Sequence, residues 1–105
     1  MPGRYLFLCA AFLAGIRAAP AFSGTIQIII NQLEYSPAEI EAKKGDKIEW
    51  VNQDILAHTA TVRGDWDVMI AAKLKASLIL KKTGTAEYYC RFHPNMRGRI
   101  RVKPE

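Results

Sequence analysis

The sequence predicts an all-β domain of the sandwich or barrel class. From residue 25 onward, short runs of β-branched and aromatic residues recur at about ten-residue spacing, which is typical of such domains. Several runs alternate apolar and polar residues, as strands with one buried face do. Turn-forming residues, glycine and proline among them, separate the runs.

The predicted strands follow one another closely along the chain. Residues 25–30 are β-branched and apolar, and they are too few for a helix. Tyr35-Ser36-Pro37 interrupts the pattern, and Lys44-Gly45-Asp46 and Thr83-Gly84 indicate turns. In chain order, the predicted strands are 25–30, 38–42, 47–52, 58–63, 76–80, 85–90 and 98–102.

One segment, residues 65–75, is ambiguous in its pattern. Its apolar residues fit a helical turn, a strand or a packed loop equally well. They are Val68, Met69, Ile70, Ala71, Ala72 and Leu74.

The first 21 residues differ from the rest of the chain. Arg4 precedes an apolar run at residues 5–16, and small residues follow through Ala19-Pro20-Ala21. A secretory signal peptide has this order of charged region, apolar region and small-x-small cleavage site, and the run is too short to span a bilayer comfortably. An uncleaved anchoring helix is the alternative. We expect residues 1–21 to be removed, which leaves a single domain at residues 22–105.

The charge of the chain does not require a nucleic-acid partner. Fifteen basic and ten acidic residues give a formal charge of +5, and without Arg4 and Arg17 the charge falls to +3. Basic residues concentrate near the C-terminus, where they either solvate a strand or steer an anionic partner. They are Arg91, Arg97, Arg99, Arg101 and Lys103.

The cysteine count points to a metal. Cys9 leaves with the signal peptide, so Cys90 is the one cysteine of the mature chain and has no internal disulfide partner. A free thiol in an exported protein is open to oxidation, and coordination to a metal would prevent this. A buried, inert cysteine is the alternative reading.

The residues around Cys90 indicate which metal. Cys90, His93 and Met96 place a thiol, an imidazole and a thioether at three-residue intervals on one loop. These soft and borderline ligands suit copper better than calcium or magnesium. His58, in another predicted strand, is the only other histidine. Together the four residues match the blue-copper electron-transfer site, in which two His and one Cys form a trigonal set with a weak axial Met.

The order of these motifs resembles that of the small blue copper proteins, the cupredoxins. The resemblance covers nearly the whole mature chain, from about residue 25 to residue 102. The ligand loop is most similar to that of the amicyanins, while pseudoazurins and plastocyanins are more distant. The matching residues are Lys44-Gly45-Asp46, Trp50-Val51-Asn52, His58-Thr59, Gly84-Thr85, Tyr88 and Cys90-x-x-His93-Pro94-x-Met96-Arg97-Gly98.

The resemblance implies a Greek-key β-sandwich of about eight strands with one type 1 copper bound by His58, Cys90, His93 and Met96. It implies a periplasmic electron carrier, not an enzyme, that cycles between Cu(II) and Cu(I). The expected partners are a dehydrogenase or oxidase as donor and a c-type cytochrome as acceptor, each met transiently. A monomer with no nucleic-acid partner, and with no membrane span after signal cleavage, is expected.

Three features depart from the family pattern. The residue after the first ligand histidine is often Asn in cupredoxins, where it tethers the loop that carries the cysteine. Thr59 stands there in this chain, and its hydroxyl can still form a hydrogen bond, although with a different reach. Ala86 replaces a common aromatic residue, and residues 65–75 lack the usual Pro/Gly turn.

Three other functions use similar residues. A copper carrier or storage protein also uses Cys, His and Met, but more often in Met-rich or paired-Cys clusters. A hydrolase would use Cys90 as nucleophile and His58 or His93 as base, and it would need an orienting third group and an oxyanion site. A structural zinc site accepts one Cys and two His, but a thioether is a poor fourth zinc ligand.

Overall fold

Two β-sheets make up the fold of residues 23–105, the part of the chain that the computed structural model describes. The predicted signal peptide lies outside the described residues. The strands are β1 (Thr25–Asn31), β2 (Glu34–Ser36), β3 (Glu39–Lys43), β4 (Lys47–Asn52), β5 (His58–Val62), β6 (Trp66–Ile70), β7 (Lys75–Ile79), β8 (Gly84–Tyr89) and β9 (Arg97–Lys103). No helix within residues 23–105 is long and apolar enough to cross a membrane.

The strand order confirms the predicted all-β Greek-key sandwich. One sheet has the order β2-β1-β4-β7 and the other β3-β9-β8-β5-β6. β1 pairs with β4 and β3 pairs with β9 in parallel, whereas all other neighbours are antiparallel. Because most neighbours within a sheet are distant in sequence, the chain crosses repeatedly from one sheet to the other.

The described residues form nine strands where the sequence predicts about eight. The difference arises at the predicted break around Pro37, which has no N–H to donate to a ladder. β2 ends at Ser36 and pairs with β1, whereas β3 begins at Glu39 and pairs with β9 in the opposite sheet. The break is therefore the point where the chain changes sheets.

The ambiguous segment 65–75 contains β6, an edge strand paired with β5. Trp66, Val68 and Ile70 are buried to varying degrees, while Asp67 and Met69 are exposed. The period-2 alternation of a strand is thus present, but an apolar residue at the exposed position 69 obscures it in the sequence.

The core lies between the sheets and is centred on aromatic side chains. Trp50 and Tyr88, both almost fully buried, have ring centroids 5.6 Å apart, and Trp50 Nε1 donates a hydrogen bond to the Tyr88 hydroxyl over 3.3 Å. Tyr35 meets Tyr88 edge-on at 4.7 Å. Since such pairs add to the burial of apolar area, this cluster fixes the position of Tyr88, two residues before Cys90.

Gly98 makes room for Tyr88 across the sheet. The two residues are direct partners in the antiparallel pairing of β8 and β9. A Cβ atom at position 98 would overlap the phenol ring of Tyr88, which packing holds in place.

We expect Gly98→Ala to lower the free energy of unfolding of the metal-free protein by about 1–3 kcal/mol, because an extra carbon in a packed core forces its neighbours to shift. Denaturant titration measures this change. Gly24→Ala is the matched control, since a Cβ atom there meets no heavy atom within 4 Å. Equal stability losses in the two variants would contradict this account of Gly98.

Candidate metal centre

Cys90 follows β8 directly and points into the sandwich. Side chains two residues apart on a strand point to the same face, so Cys90 points inward as Tyr88 does. Cys90 is fully buried. Among the described residues, its thiol is free.

Two consecutive turns shape the loop after Cys90. The His93 N–H donates to the Cys90 carbonyl over 3.2 Å, and the Met96 N–H donates to the His93 carbonyl over 2.8 Å. The Cys90 N–H donates to the Met96 carbonyl over 3.2 Å and closes the loop. Each turn spans three residues, which is the spacing between Cys90, His93 and Met96 in the sequence.

His58 reaches the same place through the pairing of β5 with β8. The two antiparallel strands meet at the pair Thr61–Tyr89. From that pair, β5 runs back to His58 beside the chain that runs forward into Cys90. His58 is fully buried, although it lies 32 residues before Cys90.

Three of the four predicted ligands face one point. Cys90 Sγ lies 3.7 Å from His58 Nδ1 and 3.8 Å from His93 Nδ1, and the three donor atoms all lie within 4.8 Å of one another. With metal–sulfur and metal–nitrogen bonds of about 2.3 and about 2.0 Å, two donors at about 120° around one metal lie about 3.7 Å apart. The separations from Cys90 Sγ are therefore those of donors that could share one metal ion, and one thiolate with two imidazoles suits copper.

The fourth predicted ligand, Met96, is buried at the end of the loop. Its backbone closes the loop against Cys90 and His93, as described above. The structure thus places Met96 in the buried part of the loop, while its role as a ligand remains a prediction.

Asp54 fixes the orientation of the His58 ring. His58 Nε2 lies 2.8 Å from Asp54 Oδ2 and donates to it, since a carboxylate can only accept. The Nδ1 lone pair is therefore left facing Cys90. Asp54 also accepts from the backbone N–H groups of Gln32 at 2.7 Å and Leu33 at 3.0 Å, two residues with positive φ in the turn between β1 and β2. Burial raises the pKa of Asp54, but these N–H donors and His58 together outweigh it and lower the pKa below its ordinary value.

Asn52 organises the loop that leads to His58. This buried side chain donates from Nδ2 to the carbonyls of Leu56 at 2.9 Å, Ile70 at 3.2 Å and Ala71 at 3.2 Å. Its Oδ1 accepts from the Asp54 N–H at 2.9 Å. The amide thus joins the loops after β4 and β6 and sets the start of β5.

Thr59 tethers the loop that carries Cys90 through its hydroxyl group, although it stands where an asparagine is common. Its Oγ1 accepts from the Arg91 N–H over 2.9 Å, and its own N–H lies 3.4 Å from Cys90 Sγ. Tyr35 fixes the other side of Thr59, since its hydroxyl donates to the Thr59 carbonyl. Burial raises the pKa of Tyr35 well above its ordinary value, so this hydroxyl stays a donor.

Sequence reasoning missed Asp54 as a supporting residue and quoted Asn52 only as part of a motif. One signal was available, namely a carboxylate four residues before a candidate ligand histidine. Carboxylates commonly orient ligand imidazoles. The contacts of Asn52 with β6 had no local signal, because they depend on how the strands pair.

Comparisons with known proteins agree with this geometry. A family model for the cupredoxin-like domain matches residues 2–102. Amicyanin from Paracoccus denitrificans is 31% identical over 93 residues, which are 82% of this chain and 71% of that protein. Amicyanin-alpha from Methylorubrum extorquens is 27% identical over 103 residues, which are 91% and 85% of the two chains.

Solved structures of amicyanin variants have a similar fold. An oxidised variant matches with a TM-score of 0.68 and 30% identity over 82% of this chain and 89% of that one. The Cu(I) form of another variant matches with a TM-score of 0.67, 30% identity and the same coverage.

We expect Asp54→Asn to raise the reduction potential of the copper-loaded protein and to destabilise the metal-free protein by about 1–3 kcal/mol. The potential rises because a carboxylate makes the imidazole a stronger donor, which favours Cu(II). The stability falls because one amide oxygen cannot accept from three donors. Voltammetry and denaturant titration measure the two effects. Asp65→Asn, which breaks an exposed ion pair with Lys82, should change neither, and an Asp54→Asn protein that behaves like this control would contradict the prediction.

Proposed function

We propose that this chain, which belongs to the cupredoxin-like domain family, is a blue copper electron carrier. Membership of the family confirms the resemblance found in the sequence. The observation that carries the proposal is the convergence of Cys90 Sγ with the Nδ1 atoms of His58 and His93 at 3.7 and 3.8 Å. When bound, copper supplies one-electron chemistry between Cu(II) and Cu(I), and the chain needs no substrate site.

We assign the metal ligands as His58, Cys90, His93 and Met96. The first three would hold the copper, and buried Met96, two turns along the loop from Cys90, would add a weakly bound thioether. Its position on the same short loop supports this role.

The surroundings of the ligands support electron transfer. His58 is held by Asp54, and Cys90 lies between Thr59 and a loop closed by backbone bonds. Ligands held this firmly keep nearly the same positions in both oxidation states, so little rearrangement opposes the transfer of an electron.

His93 is the proposed route for electrons. It is partly exposed, whereas His58 and Cys90 are fully buried. Around this end of the sandwich, the loops after β1, β4, β6 and β8 present exposed apolar side chains, which would give a partner a dry contact. They are Leu33, Ile55, Leu56, Leu74 and Phe92.

Ion pairs neutralise several of the basic residues near the C-terminus, which leaves a small positive rim on this surface. Arg91 pairs with Asp67, and Arg99 lies 3.2 Å from Glu87 and 3.7 Å from Glu39. Within the described residues, Arg97 has no carboxylate at ion-pair distance. It lines a groove beside Pro94 together with Arg63, Arg91 and Tyr89. We propose that Arg97 and Arg63 supply the positive charge that attracts an acidic partner.

Burial weighs against the competing functions. A hydrolase needs its nucleophile to reach a substrate, but Cys90 has no exposed surface. A copper carrier has to release its metal, and two of the three converging ligands lie inside the sandwich. We therefore propose a transient, monomeric shuttle in the periplasm, with a dehydrogenase or oxidase as donor and a c-type cytochrome as acceptor. Small interfaces suit such short-lived complexes.

The visible spectrum of the copper-loaded protein tests the function. We expect an intense absorption band that disappears on reduction with ascorbate, because the band arises from charge transfer between thiolate and Cu(II). Cys90→Ser should abolish it. Met96→Leu should keep the colour but raise the reduction potential, since loss of a weak axial donor destabilises Cu(II) more than Cu(I). A colourless native protein would refute the proposed function, and an unchanged potential would remove Met96 from the site.

The salt dependence of electron transfer tests the charged rim. We expect the second-order rate with an acidic redox partner to fall as salt is added, because ions screen charges over about 10 Å at 0.1 M. Arg97→Glu should slow the reaction further at low salt. Arg101→Glu makes the same change of charge on the outer face of β9, where Arg101 faces Glu41, and should have less effect. Equal rates for both variants would mean that the arginines only solvate the surface.

A further inference from the structure

Four residues form a closed ring of hydrogen bonds between the ligand loop and the edge strand β6. The Arg91 N–H donates to Thr59 Oγ1 at 2.9 Å, and Thr59 Oγ1 lies 2.8 Å from Thr61 Oγ1. Thr61 Oγ1 donates to Asp67 Oδ1 at 2.6 Å. The Arg91 guanidinium closes the ring with bonds of 3.0 and 3.1 Å to the two carboxylate oxygens of Asp67.

The two ends of this chain of bonds fix the direction of both hydroxyls. The Asp67 carboxylate can only accept, so Thr61 must donate to it. The Thr61 oxygen is then the acceptor for the Thr59 hydroxyl. Because that hydroxyl proton points at Thr61, the Thr59 lone pairs remain free for the Arg91 N–H. The hydrogen bonds from Arg91 and Thr61 lower the pKa of Asp67 and keep it a carboxylate.

Thr59 thereby holds Cys90 from two sides. Its backbone N–H points at Cys90 Sγ over 3.4 Å, while its hydroxyl holds the amide of Arg91, which is the peptide bond that follows Cys90. Any rotation of the Thr59 side chain would release that peptide, and Cys90 Sγ would then be free to move relative to the Thr59 N–H. Hydrogen bonding around the cysteine sulfur is one of the factors that set the potential of a blue copper site.

We propose that Asp67, acting through the hydroxyls of Thr61 and Thr59, is a positioning residue for the Cys90 thiolate. The proposal rests on the proposed function only for its effect on copper, since the ring itself belongs to the metal-free chain. In this chain the ring does the work of the asparagine tether that Thr59 replaces.

The relay of hydroxyls, rather than the ion pair, is the part that positions Cys90. The Arg91 and Asp67 side chains are 39% and 50% exposed, and exposed ion pairs contribute little because water screens them. Thr59 is fully buried and Thr61 nearly so. Without the Thr61 oxygen, the Thr59 hydroxyl proton has no acceptor in this relay. The hydroxyl group then rotates toward a different acceptor, and its lone pair no longer faces the Arg91 N–H.

Thr61→Val is the decisive variant, because it removes one hydroxyl and changes neither charge nor shape. In the metal-free protein, we expect the Arg91 amide to exchange its hydrogen about three- to tenfold faster, as the loss of one hydrogen bond implies. In the copper-loaded protein, we expect a shifted charge-transfer band and a lower reduction potential, because a weaker N–H···S bond leaves more charge on sulfur. Thr61→Ser keeps the hydroxyl and should restore native values in both forms.

Three further variants separate the relay from the surface charges. Asp67→Ala should shift the band, while Asp65→Ala, which loses the same charge and an ion pair with Lys82, should not. Arg91→Met removes the guanidinium but keeps the backbone N–H, and it should leave the band in place. Asp67→Ala lies on the surface, so it keeps the test available if Thr61→Val does not fold.

Native exchange at Arg91 together with a native spectrum in Thr61→Val would overturn the proposal. A band shift in Arg91→Met as large as that in Asp67→Ala would also overturn it, because the ion pair would then be the tether. If the native protein shows no copper band, the proposed function fails, but the exchange rate of the Arg91 amide in the metal-free variants still decides whether the relay holds the loop.

Discussion

The antiparallel pairing of β5 with β8 is the constraint on which the metal centre depends. It joins Thr61 to Tyr89 and so sets the path of β5 toward His58 beside the path of β8 toward Cys90. Donors 32 residues apart meet only when this part of the sheet has formed. Binding of a metal by both residues therefore stabilises the folded chain, because the unfolded chain offers no such site.

Buried polar groups that satisfy one another keep the donors in place. Among the described residues, no buried side-chain nitrogen or oxygen lacks a hydrogen-bond partner. Asn52 and Asp54 position the approach to His58, and Thr59 does the same for Cys90. In a medium of low dielectric constant, an unpaired polar group is costly, so each of these side chains has one favourable arrangement. The same arrangement that stabilises the fold therefore holds these donor atoms in place.

Most of the strands could be predicted from local pattern. Each of the seven predicted strands corresponds to an observed strand to within one or two residues, because alternation and turn residues are properties of short segments. The pattern failed at β6, where exposed Met69 breaks the alternation, and at β2, whose three residues are too few to show one. Both strands lie at the edge of a sheet, and only pairing with a neighbour defines them.

The chemistry of the candidate centre follows from residue types and their spacing alone. Thiol, imidazole and thioether stand on one loop at Cys90, His93 and Met96, and His58 is the one other imidazole in the chain. The residue types determine which metal the donors suit. The close spacing of Cys90, His93 and Met96 places these three on one loop. The orientation of His58 by Asp54, and the tethering of the loop by Thr59 and its partners, depend instead on how the folded strands pack. Those contacts join segments that become neighbours when strands pair, so no local pattern records them.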